Sequence, residues 1–119
     1  MTGQVIDRNG VPVLVVDSAG APIASGDDVL DLIGSAFGQA ETVAIPAERL
    51  DERFFALRTG VAGEIMQKFV NYRIRLAVVG DISGHLAKSS ALRALVHESN
   101  RGGQIWFVND LDELDRHLP

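Results

Sequence analysis

Leu76-Ala77-Val78-Val79-Gly80-Asp81 is an unbroken apolar run closed by a glycine and an acid. A short run of this kind, without polar alternation and bounded by a turn signal, is the pattern of a strand buried on both faces of a parallel sheet. A parallel neighbour is reached only through a crossover, so helices are expected on either side in sequence. Both are there. Upstream, Val61, Ile65, Met66, Phe69 and Val70 recur at helical spacing, in a helix beginning near Thr59 and running to about Asn71. Downstream, Leu92, Leu95 and Val96 mark the inner side of a helix between about Ser89 and Asn100, with Gly102 near its C-terminus.

The same alternation extends outward. Ile105-Trp106-Phe107-Val108 is the last strand, with Trp106 expected in the core. A closing helix from Asn109 to Leu118 has Asp110 and Glu113 at capping-box spacing. Towards the N-terminus, Thr42-Val43-Ala44-Ile45-Pro46 is a short buried strand stopped by proline. Ala47 to Leu57 holds one expected helical turn and the apolar anchor Phe54-Phe55. Before it, Val29, Leu32, Ile33, Ala36 and Phe37 form a helical stripe, opened by Ser25 or Asp27 as the cap. Asn9-Gly10 between Val5-Ile6 and Val11 to Val16 predicts a two-residue hairpin, because both turn positions need positive φ. Pro12 places a missing donor near the start of its second strand. The order β-β-α-β-α-β-α-β-α describes one α/β domain over residues 1–119. Its sheet is mixed and mostly parallel, with an antiparallel edge from the hairpin and about four helices.

Composition bounds the function classes. The 119 residues are 46% hydrophobic and 23% charged, as in an ordinary globular domain. Zero cysteines exclude a disulfide framework and thiolate metal sites, and the expected location is the cytoplasm. Val11 to Val16 is too short to span a bilayer. A formal charge of −5 disfavours phosphate backbones, so neither nucleic acid nor membrane is an expected partner. Arg58, Lys68, Arg73, Arg75 and Lys88 read as scattered surface cations.

In such sheets, ligand sites form beyond the carboxyl ends of the parallel strands. That rim takes in residues 46–59, 81–85 and 109–110. Arg58-Thr59-Gly60 lies where a loop enters a helix, a place that favours an anion or a phosphorylated hydroxyl. Its plain alternative is a threonine cap beside a solvated arginine. Asp81, Ser83 and His85 collect a carboxylate, a hydroxyl and an imidazole on one loop, able to do acid–base work or simply to tie the loop down. No nucleophile elbow or nucleotide motif is present. His85, His97 and His117 lie on separate elements, so neither a metal nor a cofactor is expected. At the opposite end of the strands, Gln67, Lys68 and Asn71 form one polar cluster, and Glu98, Asn100 and Arg101 another. They are candidates for a partner surface, or for helix capping and an ion pair between Glu98 and Arg101.

Ala62-Gly63-Glu64-Ile65, Gln67-Lys68-Phe69, Asn71-Tyr72, Gly80-Asp81-Ile82-Ser83 and Glu98-Ser99-Asn100-Arg101-Gly102 stand in this order, after Leu30-Asp31-Leu32-Ile33 and Phe54-Phe55. This combination closely resembles a bacterial family called domain of unknown function 4180, over nearly the whole chain. The resemblance implies a small, stand-alone bacterial cytoplasmic protein and brings no catalytic residues. A more distant likeness is to the STAS domain of anti-sigma-factor antagonists, which has the same order of elements and a phosphorylated hydroxyl where its second helix starts. Thr59 stands at that place, with Leu57 in place of the family's acid and Arg58 in place of a serine.

The expected function is a noncatalytic protein-binding or regulatory module of STAS-like form, phosphate-switched at Thr59 and acting on a protein partner. The alternative is a small anionic-metabolite binding protein or enzyme using the rim. A homodimer remains open.

Overall fold

The computed structural model describes residues 3–119. Strands β1 (Gly3–Arg8) and β2 (Val11–Val16) form the expected hairpin, with Arg8 opposite Val11. Asn9 and Gly10 both take positive φ, 55° and 87°, as a two-residue turn between right-twisted strands requires. Strands β3 (Thr42–Pro46), β4 (Arg75–Val79) and β5 (Ile105–Val108) then add in parallel, giving the order β1-β2-β3-β4-β5. The protein is therefore α/β, with a five-stranded, mostly parallel sheet.

Helices α1 (Gly26–Ala36), α2 (Val61–Tyr72) and α4 (Ser90–Arg101) are the crossovers, with the short α3 (Ser83–Lys88) preceding α4. Their apolar sides pack with Leu14, Val16, Val43, Ile45, Leu76, Val78, Ile105 and Phe107 on one face of the sheet. The other face carries Val13, Ala44, Ala77, Trp106 and Val108 under the five-residue α5 (Leu111–Asp115), which buries Leu114. Small residues at the centre of this face, Ala44 and Ala77, leave room for Trp106. Its indole N–H donates to the Gly102 carbonyl at 2.9 Å, satisfying the one polar atom a buried tryptophan has.

The helix starts follow the local chemistry. Ser25 accepts from the Asp28 N–H, and Asp28 reaches back to the Ala24 N–H. Asp110 accepts from the Glu113 N–H at 2.8 Å, and Glu113 returns to the Asn109 backbone N–H. Each exchange satisfies one donor that the first turn leaves free and one backbone N–H just before the cap. Two expectations change. The segment 80–85 is not a simple loop: Ser83 onward winds into α3, so that the described residues form five helices where about four were expected. The one turn expected between Ala47 and Leu57 is three successive 3-10 turns, Ala47–Arg49, Glu52–Phe54 and Leu57–Thr59. Phe54 closes the second of these turns and Phe55 caps it, and both are buried.

The sheet ends are tied differently. At the β5 edge, Asn100 donates its amide to the Phe107 carbonyl at 3.1 Å and accepts the Phe107 N–H at 2.7 Å. One side chain thus supplies both hydrogen bonds that a further strand would make there. At the hairpin, Arg8 spans to α5, bonding Asp115 through Nε at 2.9 Å and Nη2 at 2.8 Å, and Asp112 at 3.0 Å. The Arg8 hydrogen bond holds the Asp115 carboxyl below the usual carboxylate range. A depressed folded pKa stabilises the fold above the unfolded value, and this contribution is lost as pH falls through the folded one. Asp115→Asn should therefore unfold at lower urea than the parent at neutral pH. The gap should close as pH falls below the ordinary aspartate range, which parallel urea titrations of both proteins will read.

Candidate functional site

Gly80 joins the two halves of the rim. It ends β4 at φ 142°, and a β-carbon there would lie 3.2 Å from that of Ala47, where the segment after β3 begins. The positive φ favours glycine, and the close approach adds to that preference. Beyond this contact, the 47–59 turns and the α3–α4 elbow diverge and leave an open cleft of about 610 Å³ between them. Arg53, Phe55, Arg58 and Thr59 line one wall, and His85, Lys88, Ser89 and Ala91 the other.

The floor is aromatic. Phe107 on β5 lies 6.3 Å from Phe54, measured between ring centroids, and Phe54 meets Phe55 edge to face at 5.1 Å. His85 then stacks on Phe55 with centroids 4.1 Å apart and planes within 9°. Phe54 and Phe55 are buried, whereas His85 is half-buried. The imidazole thus forms the top of a column that rises from the sheet into the cleft.

The walls carry three cations, Arg53, Arg58 and Lys88, against one carboxylate, Glu52. Arg53 bonds Asp51 through Nε at 2.9 Å, so its charge is largely answered. Among the described residues, neither Arg58 nor Lys88 enters an ion pair. Both are exposed. Two twelve-residue helices also begin here, α2 just after Thr59 and α4 at its cap Ser89, which accepts the Leu92 N–H at 3.0 Å. The positive end of the α4 dipole and two cations outside any ion pair therefore meet in one cleft, with the start of α2 adjoining it beyond Thr59, on a chain whose formal charge is −5.

The candidates from sequence divide. Arg58, Thr59 and His85 are brought together, and Gly60 adjoins them at φ 80°. Gly60, not Thr59, occupies the cap position of α2. The exposed Thr59 hydroxyl instead faces back to the turns, within 2.7 Å of the Arg53 carbonyl and 2.8 Å of the Ala56 carbonyl, and accepts weakly from the Val61 N–H at 3.3 Å. Asp81 and Ser83 do not line the cleft. Asp81 accepts the Ser83 N–H at 2.9 Å, and this bond, with one from the Ser83 hydroxyl, holds its carboxyl below the usual range. The pair starts α3, and no hydrogen bond among the described residues links it to His85.

The other two clusters lie at the opposite end of the sheet. Gln67 donates to Asn71 at 2.8 Å along α2, and Glu98 pairs with Arg101 at 3.5 Å. The Lys68 stem covers Gly26, whose N–H donates to the Glu64 carboxylate, tying α1 to α2. Asn100 is committed to the β5 edge. Lys88, Ser89 and Phe55 were missed as site residues. Phe55 carries the signature of core, and Lys88-Ser89 that of any helix start, so only their meeting across the cleft distinguishes them.

Residues 8–118 match the family described as domain of unknown function (DUF4180). The chain belongs to this family. No curated protein and no solved structure matches the chain. Within this DUF4180 domain, no helix among the described residues is long and apolar enough to cross a membrane. No group of three potential metal ligands occurs among them either.

The Thr59 hydroxyl fastens two successive turns of the cleft wall. Thr59→Val keeps the shape and removes those bonds, so it should lower stability by about 1 kcal/mol. Urea unfolding measures the loss. Faster amide hydrogen exchange at Thr59 and Gly60 should accompany it, with the β4 amides unchanged.

Proposed function

We propose that this DUF4180 protein is a noncatalytic regulatory module that recognises an anionic group in the rim cleft. One observation carries the reading: Arg58, Lys88 and the start of α4 converge on a concave site in which Glu52, the carboxylate on its lining, pairs with neither cation. Free N–H groups at a helix start and a guanidinium donate to the same chemistry, an oxyanion, and their contributions add. Engagement of Asp81 with Ser83 supports binding over acid–base chemistry, because the carboxylate is occupied in starting α3. A cysteine-free chain fits a reducing, cytoplasmic setting, and the family resemblance supports a bacterial one.

Titration of the intact protein with inorganic phosphate, followed by amide chemical shifts, tests the reading. Saturable shifts are expected in residues 53–62 and 85–92, with an affinity at least about tenfold weaker in Arg58→Ala. Shifts that do not saturate, or that survive unchanged in the variant, would overturn it.

A second reading is favoured by the exposed Thr59 hydroxyl in the same cleft: the anion is a phosphate carried on Thr59 itself, and a protein partner reads the change. The sequential strand order and the N-terminal hairpin support it through their likeness to STAS-like domains. Phosphorylation adds nearly two negative charges at a helix start beside Arg58, but it must first release the hydroxyl from its carbonyl partners. Affinity purification from the source cell, with mass spectrometry of the peptide containing Thr59, separates the two. A phosphorylated peptide with a stoichiometric partner supports the switch; an unmodified peptide without one rules against it.

A further inference from the structure

Given the anion reading, the cleft has a second feature that an oxyanion alone leaves unused. The column Phe107, Phe54, Phe55 and His85 ends in a flat imidazole whose one face is covered by Phe55. His85 is half-buried and lines the cleft, so a further ring could join it from that side. Aromatic pairs at this separation favour a further parallel ring over water, and an imidazole held flat by the ring beneath it loses little freedom when a ligand stacks on it. Arg58 and Lys88 stand on opposite walls of the same space. A single carboxylate would answer one of them, whereas a phosphate, with up to two charges and three free oxygens, can answer both. The volume, about 610 Å³, falls within the range of small-molecule sites, roughly 300–1,000 Å³.

We propose that the ligand of this cleft is a planar ring carrying a phosphate, the ring stacked on His85 and the phosphate held between Arg58 and Lys88. The proposal rests on the anion reading and adds the ring to it. Stacking is indifferent to ring edges, so His85 selects for planarity, and the phosphate supplies most of the orientation. Mononucleotides and simple aryl phosphates share this chemistry.

Calorimetric titration of the full chain with three probes tests it: adenosine monophosphate, phenyl phosphate and ribose 5-phosphate. Adenosine monophosphate should bind about tenfold or more tightly than ribose 5-phosphate, the difference that one stacked ring typically makes. His85→Ala should remove that advantage while leaving ribose 5-phosphate unchanged, and His85→Phe should keep it. Thermal unfolding of both variants identifies any loss that comes from the fold rather than the site. If phenyl phosphate matches adenosine monophosphate, any planar ring suffices; if only adenosine monophosphate gains, a nucleotide base is the ring. Both results support the stacked-ring proposal. Equal binding of adenosine monophosphate and ribose 5-phosphate overturns the ring and leaves the anion reading intact. No binding of any probe overturns both.

Discussion

Three successive crossovers, after β2, β3 and β4, each move one strand in the same direction across the sheet. Because parallel crossovers are right-handed, three steps in one direction place α1, α2 and α4 on one face. Most of the rest follows from that constraint. The large core, with Phe54, Phe69, Ile33 and Leu92 fully enclosed, lies on the helical face. The other face is left to α5, a helix of five residues that Arg8 and the Asp110–Glu113 exchange hold in place. Adjacent strands also have adjacent exits. The chain leaving β3 and the chain leaving β4 are therefore neighbours, and the cleft opens between them.

The cleft sets local electrostatics against the overall charge. A net charge of −5 repels anions at long range, but screening at physiological salt confines that field to about 8 Å from exposed groups. Inside the cleft, Arg53, Arg58, Lys88 and the start of α4 supply positive charge, and Glu52 adds a single carboxylate to the lining. The aromatic column beneath them excludes water from one side, which strengthens every charge–dipole interaction above it. A basic, partly apolar recess on an acidic domain is thus a consequence of which segments the crossovers bring together, not of overall composition.

Individual residues show how far local patterns reach. Asp110 and Glu113 form the exchange their spacing predicts, because capping is decided within one helical turn. Asn9-Gly10 makes its turn for the same reason. Thr59 shows where this ends. Its position before a helix fits a cap, yet the hydroxyl goes to carbonyls of preceding turns whose path depends on where Phe54 and Phe55 are buried. Asn100 is a sharper case, since a polar residue near the end of an exposed helix has the pattern of surface. Its partner, Phe107, is seven residues away on another strand, and only docking of α4 beside β5 brings the two into register.

The α/β class, the five strands, the helix starts at Ser25, Ser89 and Asp110, and the rim where a site would form were legible in the residue pattern alone. Each of these depends on hydrophobic period, turn chemistry or chain handedness, all of which act within a few residues or by general rule. Tertiary structure alone decided which rim residues face one another. It joined Arg58 and Thr59 to His85 and Lys88, and set Phe55 beneath the imidazole. The physical reason is that these contacts join segments roughly thirty residues apart, and their geometry is fixed by the packing of the sheet between them rather than by any signal within either segment.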